Sequence, residues 1–155
     1  MSTILETSIH LTVPLARVWR VIADLEAYKS WHPFVALNGH PVAGSRITLH
    51  FRSAADGKIM SSNKAVVLHV DRLRAFTWRF VAGPFLRLEE GFAIQKAGHG
   101  TFLLHHIRFT GPFAFVFTLL FRRRLMKALE VTNRAMAAYL VKPGTASRYS
   151  PRGTR

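Results

Sequence analysis

Residues 14–34 read PLARVWRVIADLEAYKSWHPF, and this stretch decides the fold. Pro14 suits the first turn of a helix, where its missing N–H would have no partner in any case. Leu15, Val18, Trp19 and Ile22 recur at helical spacing, so a short amphipathic helix is expected up to Asp24. Asp24 is placed to cap a second short helix through Tyr28. Trp31, His32, Pro33 and Phe34 then form a rigid turn, because the residue before a proline is pushed out of the helical region.

On the amino side, residues 3–12 alternate Leu5, Thr7, Ile9 and Leu11 with Ile4, Glu6, Ser8 and His10, the period of a strand. On the carboxyl side, Gly39, Pro41 and Gly44 punctuate a hairpin-like passage. Alternation resumes at 45–52 and, after the Asp56-Gly57 turn, at 63–70, where Val66, Leu68 and Val70 share a phase. Residues 75–81 put Phe76, Trp78 and Phe80 in phase, and Gly83 with Pro84 ends the run. Two longer strands, 86–96 and 101–110, flank a turn at Gly98, His99 and Gly100. After Gly111 and Pro112 the period becomes helical, through Phe113, Phe117, Leu120, Phe121, Leu125, Leu129, Thr132, Met136 and Leu140. The strands are too closely spaced for crossover helices, so the sheet is antiparallel.

The chain has 155 residues, the size of one domain with a real core. The expected boundary is one domain over 1–142 and a basic, loosely ordered tail over 143–155, rich in Gly, Ser, Thr and Pro. Hydrophobic residues make up 49%, too many for disorder. The absence of cysteine excludes disulfides, thiolate metal sites and a cysteine nucleophile. Residues 2–6 show no secretory signal, and a cytoplasmic location, peripheral to the membrane if lipid is contacted, is the expectation. The net charge of +14 suits a polyanionic partner or simply a solvated basic face.

The order of elements resembles the SRPBCC superfamily, the helix-grip group that includes START lipid-transfer domains, birch-pollen allergen relatives and polyketide cyclase/dehydrase proteins. The resemblance is carried by Pro14, Val18, Trp19 and Asp24 and by the Trp31, Pro33, Phe34 turn, where His32 replaces the usual Asn. Gly39, Gly44, residues 70–78, Phe109, Gly111 and Asn133 also look like family positions. The resemblance implies an α+β helix-grip fold, a curved seven-stranded antiparallel sheet wrapped around the long C-terminal helix. It also implies an apolar cavity between them for a hydrophobic small molecule. It specifies no reaction, since one fold hosts many functions.

Inward phases then nominate ligand-binding residues: Leu49, Phe51, Phe76, Trp78, Phe80, Phe92, Ile107 and Phe109 from the strands, in register with Leu88, Ile94 and Leu103. Trp31, His32 and Phe34 join them from the turn, and Phe113 and Phe117 from the last helix. The same residues, packed solidly, would make a plain core.

Glu90 and His105 interrupt the inward phase and are the candidate catalytic pair, a proton donor and acceptor on adjacent strands. The alternative is a buried hydrogen-bonded pair, or a Glu90 held by an arginine. Family members often carry His at the Glu90 position and a carboxylate near Ile107, so an inherited role does not follow. His32 lines a ligand entrance or stabilises its turn. No histidine pair has metal-ligand spacing, and no metal or cofactor is expected. Nucleophile-elbow, phosphate-loop and dinucleotide motifs are absent from the sequence.

Residues 113–121 are apolar and aromatic, too short to span a bilayer, and Arg122, Arg123 and Arg124 come directly after them. They cover the pocket mouth, or lie on an anionic membrane with Phe115 in lipid and the arginines at the headgroups. Three functions therefore stand open: a carrier of a hydrophobic small molecule, a cyclase or dehydrase using Glu90 and His105, and a basic protein binding a membrane or nucleic acid. Nucleic acid is disfavoured, because no base-reading aromatic motif or recognition helix appears. Oligomeric state is not legible.

Overall fold

The alternation at the amino end builds β1 (Ser2–Leu11), and Pro14 then opens α1 (Leu15–Ala23), which buries Val18, Trp19, Val21 and Ile22. A 3-10 turn at Leu25–Ala27 leads into α2 (Tyr28–Trp31). His32 ends α2 in an extended conformation, φ −77° and ψ 121°, as the proline after it requires. The remaining elements are β2 (Val35–Asn38), β3 (Arg46–Arg52), β4 (Ile59–Asp71), β5 (Ala75–Ala82), β6 (Leu86–Ala97), β7 (Gly100–Thr110) and α3 (Ala114–Leu140). The computed structural model describes residues 1–142, so the tail expected over 143–155 lies outside the described residues.

The strands form one antiparallel sheet in the order β1-β7-β6-β5-β4-β3-β2. It is a meander from β2 to β7, with β1 added beside β7. The segment carrying α1 and α2 takes the chain from one sheet edge to the other, while α3 lies against β1 and β7. A seven-stranded sheet around a long C-terminal helix is thus present as expected.

Two features differ from the expectation. β2 comes immediately after the 31–34 turn and is only four residues long, too short to show a period. In β4, the buried residues are Ala65 and Val67, so Val66 and Leu68 share the outer phase and Val70 does not share it with them. A register shift between Val67 and His69 returns Val70 to the inner side, opposite Phe76.

Buried apolar side chains divide into two clusters. The larger joins α1, α2 and the inner faces of β2 to β7 to Met136 and Leu140 of α3. The smaller comprises Leu5, Ile107, Phe109, Ala114 and Leu129, with Phe117, Leu125 and Met126 packed against it. The residues between them along each element are polar: Glu90 on β6, His105 on β7, and Thr132 and Asn133 on α3, all buried. A polar layer therefore crosses the core, and it is the natural place for a site.

Candidate functional site

Inward alternation on two neighbouring strands brings Glu90 and His105 together. Glu90 is paired across the sheet with Ile107 and His105 with Phe92, which makes the two diagonal neighbours on one face. His105 Nε2 lies 2.7 Å from Glu90 Oε1, a length typical of a charge-assisted hydrogen bond. On its other side, His105 Nδ1 lies 3.0 Å from Asn133 Oδ1. The Phe92 ring stacks on the imidazole at 4.4 Å.

The turn supplies the third member. His32 Nδ1 accepts hydrogen bonds from the backbone N–H of Phe34 and of Val35, at 3.2 and 3.1 Å. Those two donors assign the ring proton to Nε2, which donates to Glu90 Oε1 at 3.4 Å. His32 thus both fixes its own turn and reaches the polar layer, so the two roles considered from sequence meet in one side chain.

Charge is set by this geometry. Burial by itself would raise the Glu90 carboxyl, but the hydrogen bonds from His105 and His32 outweigh it and hold Glu90 below the usual carboxylate range. Glu90 is therefore an ionised acceptor. Burial lowers His32, and the nearby Glu90 charge only partly offsets it, so His32 is neutral and its contact with Glu90 is a hydrogen bond rather than an ion pair. Burial also raises Tyr28 well above its ordinary value, helped by the charges of Glu90 and Asp24. Its hydroxyl donates to the Ile22 carbonyl at 2.8 Å, and its ring stacks on His32.

All four ring nitrogens of His32 and His105 are committed to protein partners. Neither imidazole offers a free nitrogen to an incoming group. Of the Glu90 carboxylate, only Oε1 is engaged by the imidazoles.

The expected lining residues separate into two sets. Leu49, Phe76, Trp78, Phe92 and Phe109 are at most 1% exposed, so the concave face is filled at their level; Trp31 and Ile107 are also buried. Phe34, Phe51, Phe80 and Phe117 keep partial exposure. Phe51 meets Phe80 edge-on at 5.5 Å, Phe80 is paired with Leu88, Leu88 with Phe109, and Phe109 touches Phe117 of α3 at 5.1 Å. These side chains make an aromatic rim running from β3 to α3. Trp78 and Glu90 lie two residues inward from Phe80 and Leu88 on their strands, directly behind it. Phe113 stands off this face, exposed, with its ring against Phe85. Phe115 and Arg122, Arg123 and Arg124 are exposed on α3.

Two members of the site are not singled out for it by the sequence. Asn133 stands there only as a family position, yet it interrupts the apolar stripe Leu129, Met136 and Leu140 at helical spacing, which is a usable signal. Tyr28 reads only as a helix end. In addition, the indole nitrogens of Trp31 and Trp78 are buried and find no hydrogen-bond partner among the described residues. Trp78 is paired across the sheet with Glu90, and Trp31 packs on His32 and Phe92, so both unmet donors belong to side chains bordering the polar layer. No group of three His, Cys, Asp or Glu among the described residues is arranged to hold a metal ion.

The ionisation states have a measurable consequence. His32 is lowered from its ordinary 6.5, so between its folded value and 6.5 the unfolded chain binds more protons. Glu90 is lowered from its ordinary 4.5, and the same inequality holds below that value. Both make stability rise with pH. Thermal melts are expected to plateau above pH 7, decline from about pH 6.5 downward and decline further below about pH 4.5. A melting temperature constant from pH 7 to pH 4 would contradict the assignment.

A family model described as polyketide cyclase / dehydrase and lipid transport matches residues 2–141. Among solved structures, protein NE0264 from Nitrosomonas europaea is similar with a TM-score of 0.71 at 17% identity, covering 88% of this chain and 93% of that one. The Zhui aromatase/cyclase from Streptomyces sp. R1128 is similar with a TM-score of 0.69 at 12% identity, covering 90% and 94%. Ara h 8.0201 is similar with a TM-score of 0.65 at 14% identity, covering 91% and 99%. At these identities the likeness is one of fold. No protein of curated function matches the sequence.

Proposed function

Because the chain belongs to the polyketide cyclase/dehydrase and lipid-transport family, we propose that it binds a hydrophobic small molecule at the aromatic rim between the sheet and α3, and holds it without turning it over. The observation that carries this reading is a rim of partly exposed aromatics in front of a polar layer whose imidazole nitrogens are all committed. The ligand is apolar or aromatic and bears acceptor oxygens, which the Trp31 and Trp78 indoles would meet. Since the concave face is filled behind the rim, entry requires the rim side chains to move. Burying on the order of 300 Å² of such a ligand yields about 7 kcal/mol at ~25 cal/mol per Å². Association and ordering costs leave less as affinity.

Native mass spectrometry of protein purified from its host is expected to show a co-purifying apolar molecule. Uptake of a solvatochromic dye should weaken about tenfold in Phe51→Ser/Phe80→Ser, consistent with losing two aromatic contacts. Empty protein that takes up no dye would end this reading.

The 2.7 Å Glu90–His105 pair supports a second reading, a cyclase or dehydrase working through Glu90. The similarity to an aromatase/cyclase leans the same way. If turnover of a polyketide-like substrate is found and Glu90→Gln abolishes it while binding persists, the enzyme reading replaces the carrier.

A further inference from the structure

The first turns of α3 and the residue before them carry a cluster of exposed large apolar side chains that the fold does not use. Leu119 and Leu120 are 66% and 71% exposed, and Phe113, Phe115 and Val116 are each exposed by half or more. Phe85 from the β5–β6 turn joins them through its ring contact with Phe113 at 5.3 Å. From the other side, Ile4 of β1 shares a shallow groove with Phe115, Leu119 and Arg122. Thr3 holds that junction, its hydroxyl 2.5 Å from that of Thr118. Three separate chain segments thus converge on one apolar end, which a chance cluster of surface residues would not do.

Immediately beyond this apolar end the helix turns basic. Arg122, Arg123, Arg124 and Lys127 are all exposed, and Arg122, Arg123 and Lys127 line an open groove beside Met126 and Val131. Within α3 the single acidic residue is Glu130, and it is paired with Arg134 at 3.6 Å. From Phe115 to Arg123 the helix rises about 12 Å at ~1.5 Å per residue. An interfacial helix sinks roughly 5–10 Å below the headgroups. A tip entering to that depth would put the arginines at the level of lipid phosphates.

We propose that this end of the molecule docks on an anionic lipid bilayer, with the first two turns of α3 and Phe85 entering the interface and Arg122, Arg123 and Arg124 engaging phosphate headgroups. Charge complementarity selects this occupant. A second copy meeting the same face would bring two basic collars together on a chain already at +14. Nucleic acid would leave the apolar end uncovered. No helix among the described residues is long and apolar enough to cross a membrane, so the contact is peripheral. The proposal does not rest on the ligand-binding reading and would hold for an enzyme equally.

The test is co-sedimentation of the full chain with vesicles of phosphatidylcholine alone and of phosphatidylcholine mixed with phosphatidylglycerol. Binding is expected only to the mixed vesicles and to weaken with salt. Arg122→Ser/Arg123→Ser/Arg124→Ser should lower partitioning about a hundredfold, at roughly fivefold per arginine. Leu119→Ser/Leu120→Ser should lower it about tenfold or more, the loss of two inserted leucines. All five positions are exposed, and unchanged thermal melts will show that the fold is intact. Residues 143–155 are common to all variants and cancel in the comparison. Equal binding of the leucine variant and the unsubstituted protein would overturn the proposal, leaving only diffuse attraction of a basic protein. So would indifference to anionic lipid, or a dimer that the leucine substitutions dissolve in a chain that binds no vesicles.

Discussion

Replacing Glu90 with alanine is expected to destabilise the fold by about 3–5 kcal/mol, at ~1–3 kcal/mol for each buried donor left without an acceptor. The reason lies in what stays behind. His105 Nε2 and His32 Nε2 both point at Glu90 Oε1, and without it two buried N–H groups lose their acceptor. Of a total stability of roughly 5–15 kcal/mol, such a loss is a large fraction. Glu90→Gln should cost less, because an amide oxygen still accepts from one imidazole. It should also remove the decline in stability below about pH 4.5 that the depressed carboxyl produces. Urea titrations of Glu90→Ala, His105→Ala and the variant carrying both close a double-mutant cycle and give the coupling directly. Loss of less than 1 kcal/mol in Glu90→Ala would mean that the pair is not the strut of the polar layer.

Phe92→Ala is expected to cost about 3–5 kcal/mol as well, by a different mechanism. Phe92 is 1% exposed, stacks on His105 at 4.4 Å and meets Trp31 edge-on at 6.3 Å. Its removal opens a void where the larger apolar cluster abuts the polar layer. Phe92→Leu retains most of the volume and should lose only about 1–1.5 kcal/mol, chiefly the aromatic contacts. Similar losses for the two substitutions would show that the surroundings collapse into the space, and that the packing there is softer than it looks.

Much of the architecture was legible because it rests on period. The inward phases of β1, β3, β5, β6 and β7 held, and with them the pairing of Glu90 with His105, which needs strand adjacency alone. The proline turn held because the constraint at His32 is local. Failures came where tertiary context overrides pattern. Four residues of β2 carry no readable alternation, and the irregularity near Leu68 reverses a phase that a regular strand would keep. The contact of His32 with Glu90 joins residues 58 apart and depends on where the turn docks, which no spacing encodes. Aromatic phase likewise could not distinguish a lined cavity from a filled face. The separation of the rim residues Phe34, Phe51, Phe80 and Phe117 from the filled set is a property of packing.

The placement of β1 and β2 at opposite edges of the sheet also governs the order in which the structure is made. β2 to β7 can zip up as successive hairpins while the chain is synthesised. β1 cannot, because its partner is β7 and their register joins Ser2 to Thr110. The first strand to emerge is among the last to pair, and it waits with Leu5, Ile9 and Leu11 uncovered. Such long-range closure makes for slow folding and an aggregation-prone interval. In the folded domain α3 packs on β1 and β7 and covers that face.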